Sequence, residues 1–214
     1  MSSAEHPAVA RRVAVVALTG GIASGKGAVS ERLEARGAAL LDADRIARDL
    51  VRPGLPALAE IVDVFGAHAL LSSGDLDRAG MRERIFADPV ARSRLESILH
   101  PRVRAALRDG VRDCTATYCV LVIPLLTDVR QDYDFVDRVL VVDVSPSVQK
   151  HRLMLRDRCA SEAASAMIAA QAPRAARLAI ADDVIDNDGD RSMLDAPLAR
   201  LHELYVQIGT RATA

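Results

Sequence analysis

The sequence predicts an α/β fold in which a parallel β-sheet is flanked by helices, and three observations carry that prediction. Residues 13–18 form an apolar run that suits a buried parallel strand and is too short to span a membrane. The run breaks into glycine and then into a helical pattern, and a second apolar run follows at 38–41; strand, helix and strand make a βαβ unit with a right-handed crossover. Further runs at 119–123, 138–142 and 183–186 alternate with helical stripes and extend the same sheet.

The loop after the first strand reads Gly20-Gly21-Ile22-Ala23-Ser24-Gly25-Lys26. Gly20 and Gly25 flank four residues and Lys26 follows, so backbone N–H groups point inward at a phosphate while the lysine adds a mobile positive charge. Val29 and Leu33 then recur at helical spacing, Ser30, Glu31, Arg32 and Glu34 face outward, and Gly37 stands where a C-terminal cap belongs. The loop therefore opens a helix, and the dipole at that helix N-terminus favours an anion. The pattern asks for Ser or Thr after the lysine, to ligate the magnesium that bridges the outer phosphates. Here Gly27 and Ala28 follow instead, and the next hydroxyl is Ser30.

Asp42-Ala43-Asp44 ends the second strand, at the side of the sheet where ligands bind. One carboxylate can take a proton from a substrate hydroxyl while the other orients water around magnesium; Asp44 can also cap a helix beginning at Arg45, and spacing alone does not choose between the two aspartates. Pro53-Gly54-Leu55-Pro56 breaks the pattern, and Leu58, Ile61, Val62 and Phe65 mark a helix closed by Gly66. From there to about residue 115 the chain reads as entirely helical. Asp77 caps a helix carrying Met81 and Ile85, Asp88-Pro89 starts another with Leu95, Ile98 and Leu99, and His100-Pro101 starts a third with Val103, Leu107 and Val111. Such an insertion is a natural wall for a second substrate, and His100 either touches that substrate or serves only the structure.

The run at 119–123 ends at Pro124-Leu125-Leu126, and Ser145-Pro146 launches a helix from the fourth strand. On that helix Gln149, Arg152 and Arg156 fall on neighbouring turns, with the two arginines at i, i+4. They form either a lid that closes over phosphates or a solvated face beside Asp157 and Arg158. Ser161-Glu162 restarts a helix to about Gln171 and Pro173 starts another. After the last strand, the asparagine of Asn187-Asp188-Gly189 either meets an adenine or simply turns the chain. Leu194, Leu198, Leu201, Tyr205 and Ile208 close the chain with a core stripe.

Composition narrows the partners. Half of the 214 residues are hydrophobic, and 28 basic residues are matched by 29 acidic ones, so no polyanion-binding surface and no nucleic-acid partner are expected. Three Phe, three Tyr and no Trp leave little for base stacking. Residues 1–12 carry no apolar run of signal-peptide length and read as a frayed tail, so a cytoplasmic protein, monomeric or a small homo-oligomer, is expected, with no membrane partner. Cys114, Cys119 and Cys159 lack the spacing of a zinc site or a disulfide framework and read as small apolar fillers.

Taken together, Thr19 through Lys26, Asp42-Ala43-Asp44 with Ala47, Pro53-Gly54, Leu76-Asp77-Arg78, His100-Pro101, Ile123-Pro124-Leu125-Leu126, Gln149 with Arg152-Leu153 and Arg156, Gln171, and Ala181-Asp182 with Asn187 and Gly189 resemble the dephospho-CoA kinase family in order and spacing. The resemblance implies a nucleoside-monophosphate-kinase-like P-loop NTPase core at 13–50, 116–148 and 178–209, a helical CoA-binding part at about 51–115 and a helical lid at about 149–177, with tails at 1–12 and 210–214. It implies transfer of the γ-phosphoryl group of ATP to the ribose 3′-hydroxyl of dephospho-CoA, with magnesium. Gly21, Ala23, Ser24, Gly25, Lys26, Gly27 and Ala28, with Arg156 and Asn187, would bind ATP, and Lys26, Asp44 and Arg152 would be catalytic. Asp44, Arg78, His100 and Leu125 would contact dephospho-CoA, and Asp42 would reach magnesium through water. Two departures stand out: Gly27 replaces the family's Ser or Thr, and Asp128, after Thr127, replaces a common Glu. Gly27 predicts weaker magnesium binding and a lower rate, and it motivates an alternative in which the chain binds ATP or CoA without turnover.

Overall fold

The computed structural model describes residues 13–211; the expected tail at 1–12 and residues 212–214 of the expected C-terminal tail lie outside them. Among the described residues, β1 (Ala14–Gly20), β2 (Ala39–Asp42), β3 (Tyr118–Val122), β4 (Arg138–Asp143) and β5 (Asp183–Asp186) form one sheet in the order β2-β3-β1-β4-β5. β1 runs parallel to both β3 and β4, and β4 runs parallel to β5. Every residue of β1 is buried, which is why its sequence shows no polar alternation: a parallel strand covered on both faces has no wet side. Because β1 has β3 on one side and β4 on the other, its carboxyl end opens into the crevice where the strand order reverses, the usual ligand position in such sheets.

Helices close the sheet. α1 (Lys26–Glu34) contributes Val29 and Leu33, and α10 (Asp195–Arg211) contributes Leu198 and Tyr205, to one apolar cluster with Val16, Leu18, Val120, Leu140 and Ile185. Burying each such leucine stabilises the fold by about 2 kcal/mol before entropy is counted. At the starting ends of β4 and β5, Arg138 holds the Asp183 carboxylate through two bonds of 2.8 Å, and the Tyr205 hydroxyl donates to the same carboxylate at 3.0 Å. The remaining helices of this part are α6 (Leu126–Val129), α7 (Pro146–Asp157), α8 (Ser161–Ala169) and α9 (Arg174–Ala179).

The chain divides into this sheet unit, up to residue 41 and from 111 onward, and a helical unit over 42–110. In the helical unit, α2 (Ala43–Leu50), α3 (Pro56–Phe65), α4 (Arg78–Ala87) and α5 (Pro89–Arg112) gather Val51, Leu58, Ile61, Phe65, Met81, Leu95 and Ile98 into a core of their own. Leu70 and Leu76 add an antiparallel bridge in a stretch expected to be wholly helical.

Three further expectations are corrected. The two helices expected at Pro89 and Pro101 are the single helix α5, with Pro101 inside it. Leu95, Ile98, Val103 and Leu107 are buried along its whole length, and that burial outweighs the one helical N–H that proline withholds. The cap of α2 is Asp42, not Asp44: the Arg45 N–H donates to Asp42 Oδ1 at 2.9 Å, and Asp44 sits in the first helical turn. Finally, α10 continues to Arg211, past the position where a tail was expected to begin.

Candidate active site

The glycine loop runs from the end of β1 to the start of α1. Gly25 has φ +95° as the N-terminal cap of α1, and a Cβ there would collide with Asn187 Nδ2, so only glycine fits. Ala23 is also left-handed, at φ +58°, without that excuse. The Ser24 N–H donates to Gly21 O at 3.1 Å and turns the loop back on itself. Lys26 is the first residue of α1, and its Nζ donates to Gly20 O at 2.9 Å and Gly21 O at 3.0 Å. The ammonium thus lies inside the loop against two of its carbonyls, where it can meet an anion that enters the cleft.

Beside the loop is a cleft of about 600 Å³. Ala23, Gly25, Lys26, Gly27 and Ala28 line it from the loop, Arg152, Leu155 and Arg156 from α7, and Asn187 and Arg191 from the segment after β5. The lining holds four cations and no carboxylate, which is the chemistry of a polyphosphate site. The Arg152 guanidinium donates to Gly189 O at 3.4 Å. Arg156 instead grips its neighbour Asp157 through bonds of 2.7 and 2.9 Å, which raise the arginine pKa and hold the Asp157 carboxyl below its ordinary range.

Asn187 lines this cleft and also holds the loop. It is 5% exposed, and its Nδ2 donates to Ser24 O at 2.7 Å, so it braces the loop from beneath; its Oδ1 and the Ser24 hydroxyl are buried without a protein partner. Gln149 and Gln171 also reach the loop. Gln149 Nε2 donates to Ile22 O at 2.9 Å, and the Ile22 N–H donates to Gln171 Oε1 at 2.7 Å. Behind them Arg177 is 8% exposed, and burial pushes its pKa down, while Arg174 pairs with Asp143 at the end of β4. Leu125 is exposed beside a small recess that it shares with Gln171 and Arg177.

The structure therefore brings Lys26, Arg152, Arg156 and Asn187 together. It adds Arg191, the first residue of a short 3-10 helix with no pattern to mark it, and it shows what the two glutamines hold, which their resemblance to the family did not say. Leu125 stays in the sheet unit, and four other expected residues belong to the helical unit. Asp42 caps α2, Asp44 follows it, Arg78 donates to Arg48 O at 3.1 Å and His100 is exposed on α5.

Magnesium fits this lining poorly. Gly27 offers no oxygen from its side chain, and the Ser30 hydroxyl does not stand in for it, because it donates to Gly27 O at 3.0 Å within the helix. No carboxylate or hydroxyl lines the cleft, and among the described residues no three His, Cys, Asp or Glu side chains group as a metal site. A hard cation that prefers oxygen would depend here on phosphates and water.

A family model described as CoaE, dephospho-CoA kinase, matches residues 14–192. The chain belongs to the dephospho-CoA kinase family. Among its relatives, the dephospho-CoA kinase of Escherichia coli strain K12 is 45% identical over 197 residues, covering 92% of this chain and 95% of that protein. The dephospho-CoA kinase of Xanthomonas oryzae pv. oryzae is 48% identical over 193 residues, covering 89% and 95%. The crystal structure of TT1252 from Thermus thermophilus superposes with a TM-score of 0.77 at 28% identity, covering 90% of this chain and 98% of that one. The fold is thus that of a P-loop kinase.

Proposed function

We propose that the chain transfers the γ-phosphoryl group of ATP to the ribose 3′-hydroxyl of dephospho-CoA, giving coenzyme A. The observation that carries the reading is Lys26 and Arg152 lining one cleft, with the glycine loop between β1 and α1 as its floor. ATP phosphates lie over the loop at the N-terminus of α1, where backbone N–H groups and the helix dipole favour them. Lys26 leaves Gly20 O and Gly21 O for the β- and γ-phosphate oxygens. Arg152 exchanges a long bond to a neutral carbonyl for the transferring group, and Arg156, already held by Asp157, follows as a second cation over the nucleotide. A loose phosphoryl transition state needs alignment and charge neutralisation above all, and these cations supply both.

Asp44 orients the 3′-hydroxyl and accepts its proton, while Arg78, His100 and Leu125 hold dephospho-CoA; these roles rest on the family pattern. Gly21, Ala23, Ser24, Gly25, Gly27 and Ala28 form the phosphate bed, and Asn187 serves ATP through the loop that it supports. Where the family's loop ligates magnesium, this chain has only Gly27, so the protein's own cations carry the neutralisation argument. The proposed place of action is the cytoplasm, and among the described residues no helix is long and apolar enough to cross a membrane.

The alternative of binding without turnover has no support of its own, since Lys26, Asp44 and Arg152 are all retained. The test is CoA formation from dephospho-CoA and ATP by the purified protein over a magnesium titration. ATP-dependent CoA formation is expected, and turnover of about 1 to 100 per second would show that Gly27 is tolerated. No product at saturating magnesium, with ATP binding intact, overturns the proposal.

A further inference from the structure

The phosphate loop contains one residue that the loop itself does not explain. Ala23 holds φ +58°, a conformation that a side chain with a Cβ resists and that alanine has no polar group to offset. Such residues persist only where their surroundings over-determine them. The surroundings here are three carboxamides from three separate elements. Gln171, beyond the end of α8, accepts from the Ile22 N–H; Gln149, on α7, donates to the Ile22 carbonyl; Asn187, after β5, donates to the Ser24 carbonyl. Backbone groups on both sides of Ala23 are thus fixed from outside the loop. Gln149 and Asn187 are 3% and 5% exposed, so water competes little for their bonds, whereas Gln171 is partly exposed.

We infer that Gln149, Gln171 and Asn187 are positioning residues that hold the phosphate loop, with Ala23 left-handed, in the shape that receives nucleotide. The glycines around Ala23 serve the same device: a Cβ on Gly21 would collide with Gln149 Nε2, as one on Gly25 would with Asn187 Nδ2. The clamp also ties the arginine-bearing helix to the loop. Gln149, Arg152 and Arg156 stand at i, i+3 and i+7 of α7, so the bond to Ile22 fixes the face from which both arginines reach the cleft. Its effect on ATP rests on the functional reading above; its effect on the loop does not.

The chemistry of the two glutamines gives an asymmetric test. Gln171→Glu keeps an acceptor for the Ile22 N–H, whereas Gln171→Leu removes it at similar volume; Gln149→Glu replaces a donor by a carboxylate facing the Ile22 carbonyl. In the nucleotide-free protein, exchange of the Ile22 amide should quicken about tenfold in Gln171→Leu, which removes its acceptor, and in Gln149→Glu, where a carboxylate repels the Ile22 carbonyl and unseats the same peptide; it should stay within about threefold of the parent in Gln171→Glu, the effect of about one hydrogen bond. ATP dissociation constants from calorimetry should follow the same order. Adding Ala23→Gly, which adopts this φ without resistance, should recover most of the lost ATP affinity in Gln171→Leu, a rescue that general destabilisation would not allow. The inference falls if the Ile22 amide exchanges alike in Gln171→Leu and Gln171→Glu, or if Ala23→Gly rescues nothing while the variants keep the parent melting temperature. A parent protein that does not bind ATP would refute the functional reading and leave the exchange result to decide the clamp.

Discussion

Gly27→Ser is the perturbation that bears most directly on the metal. A Cβ at this position meets nothing within 4 Å, and the residue lies in the first turn of α1, so serine enters without displacing anything. Serine is the better helix former by about 0.5 kcal/mol, which should raise the melting temperature by about 1–2 °C. The hydroxyl would add one oxygen where the cleft now offers magnesium none. A polar contact to a charged group is worth about 1.5 kcal/mol or more, which is about tenfold in an equilibrium constant. Initial rates of CoA formation over a magnesium titration, with both substrates saturating, should show the half-saturating magnesium concentration falling by about that factor. Gly27→Ala separates the causes, since it should give the thermal gain without the magnesium shift. If Gly27→Ser leaves magnesium dependence and kcat unchanged while melting no lower than the parent, the missing hydroxyl does not limit this enzyme.

Other substitutions test the remaining site. Lys26→Ala should lower kcat by about 10² to 10³ with little change in melting temperature, because it removes a cation from the developing charge; steady-state kinetics check this. Arg152→Ala should cost about 10³ in kcat and Arg156→Ala clearly less, since Arg156 is already paired with Asp157; equal losses would reverse the assignment. Gly25→Ala should strain the φ +95° cap and strike Asn187, lowering the melting temperature by about 3–8 °C and weakening ATP binding together. Tyr118 predicts an alkaline limit to stability. Burial pushes its phenol from 10.0 up to about 12, so in the folded chain it keeps a proton that the unfolded chain loses. That contribution is full below pH 10 and drains away as the pH rises toward 12, so urea midpoints should fall over this window and fall less in Tyr118→Phe.

Much of the sheet could be read in advance because buried parallel strands announce themselves as apolar runs between Gly, Pro and Asp, as β1 and β3 do most clearly, whereas β5 shows only Val184-Ile185 between two aspartates and leaves Val184 exposed. What misled was punctuation taken one residue at a time. Pro101 reads locally as a helix start, yet the stripe from Leu95 to Leu107 stays buried across it, and burial outweighs one absent N–H. Asp42 and Asp44 are equivalent as letters; the geometry of the strand end makes the first one the cap. At the site, Gly25 and Lys26 were legible because phosphate binding constrains adjacent residues. The clamp was not, because its glutamines lie 127 and 149 residues from the peptide they hold, and a side-chain bond to backbone leaves no trace in the partner's letter.

The pairing of β1 also bears on how the chain is made. Its two neighbours are β3 and β4, and the whole helical unit is encoded between β1 and β3. About a hundred residues must leave the ribosome before either neighbour exists, roughly 5 to 20 seconds of synthesis during which a strand buried on both faces has nothing to pair with. The helical unit has its own apolar core and can fold in that interval, whereas the nucleotide loop at the end of β1 cannot take shape until Gln149, Gln171 and Asn187 have been synthesised. The loop carried by the first-encoded strand of the sheet is therefore among the last parts to become functional, and until then β1 is an unpaired apolar strand open to misassociation.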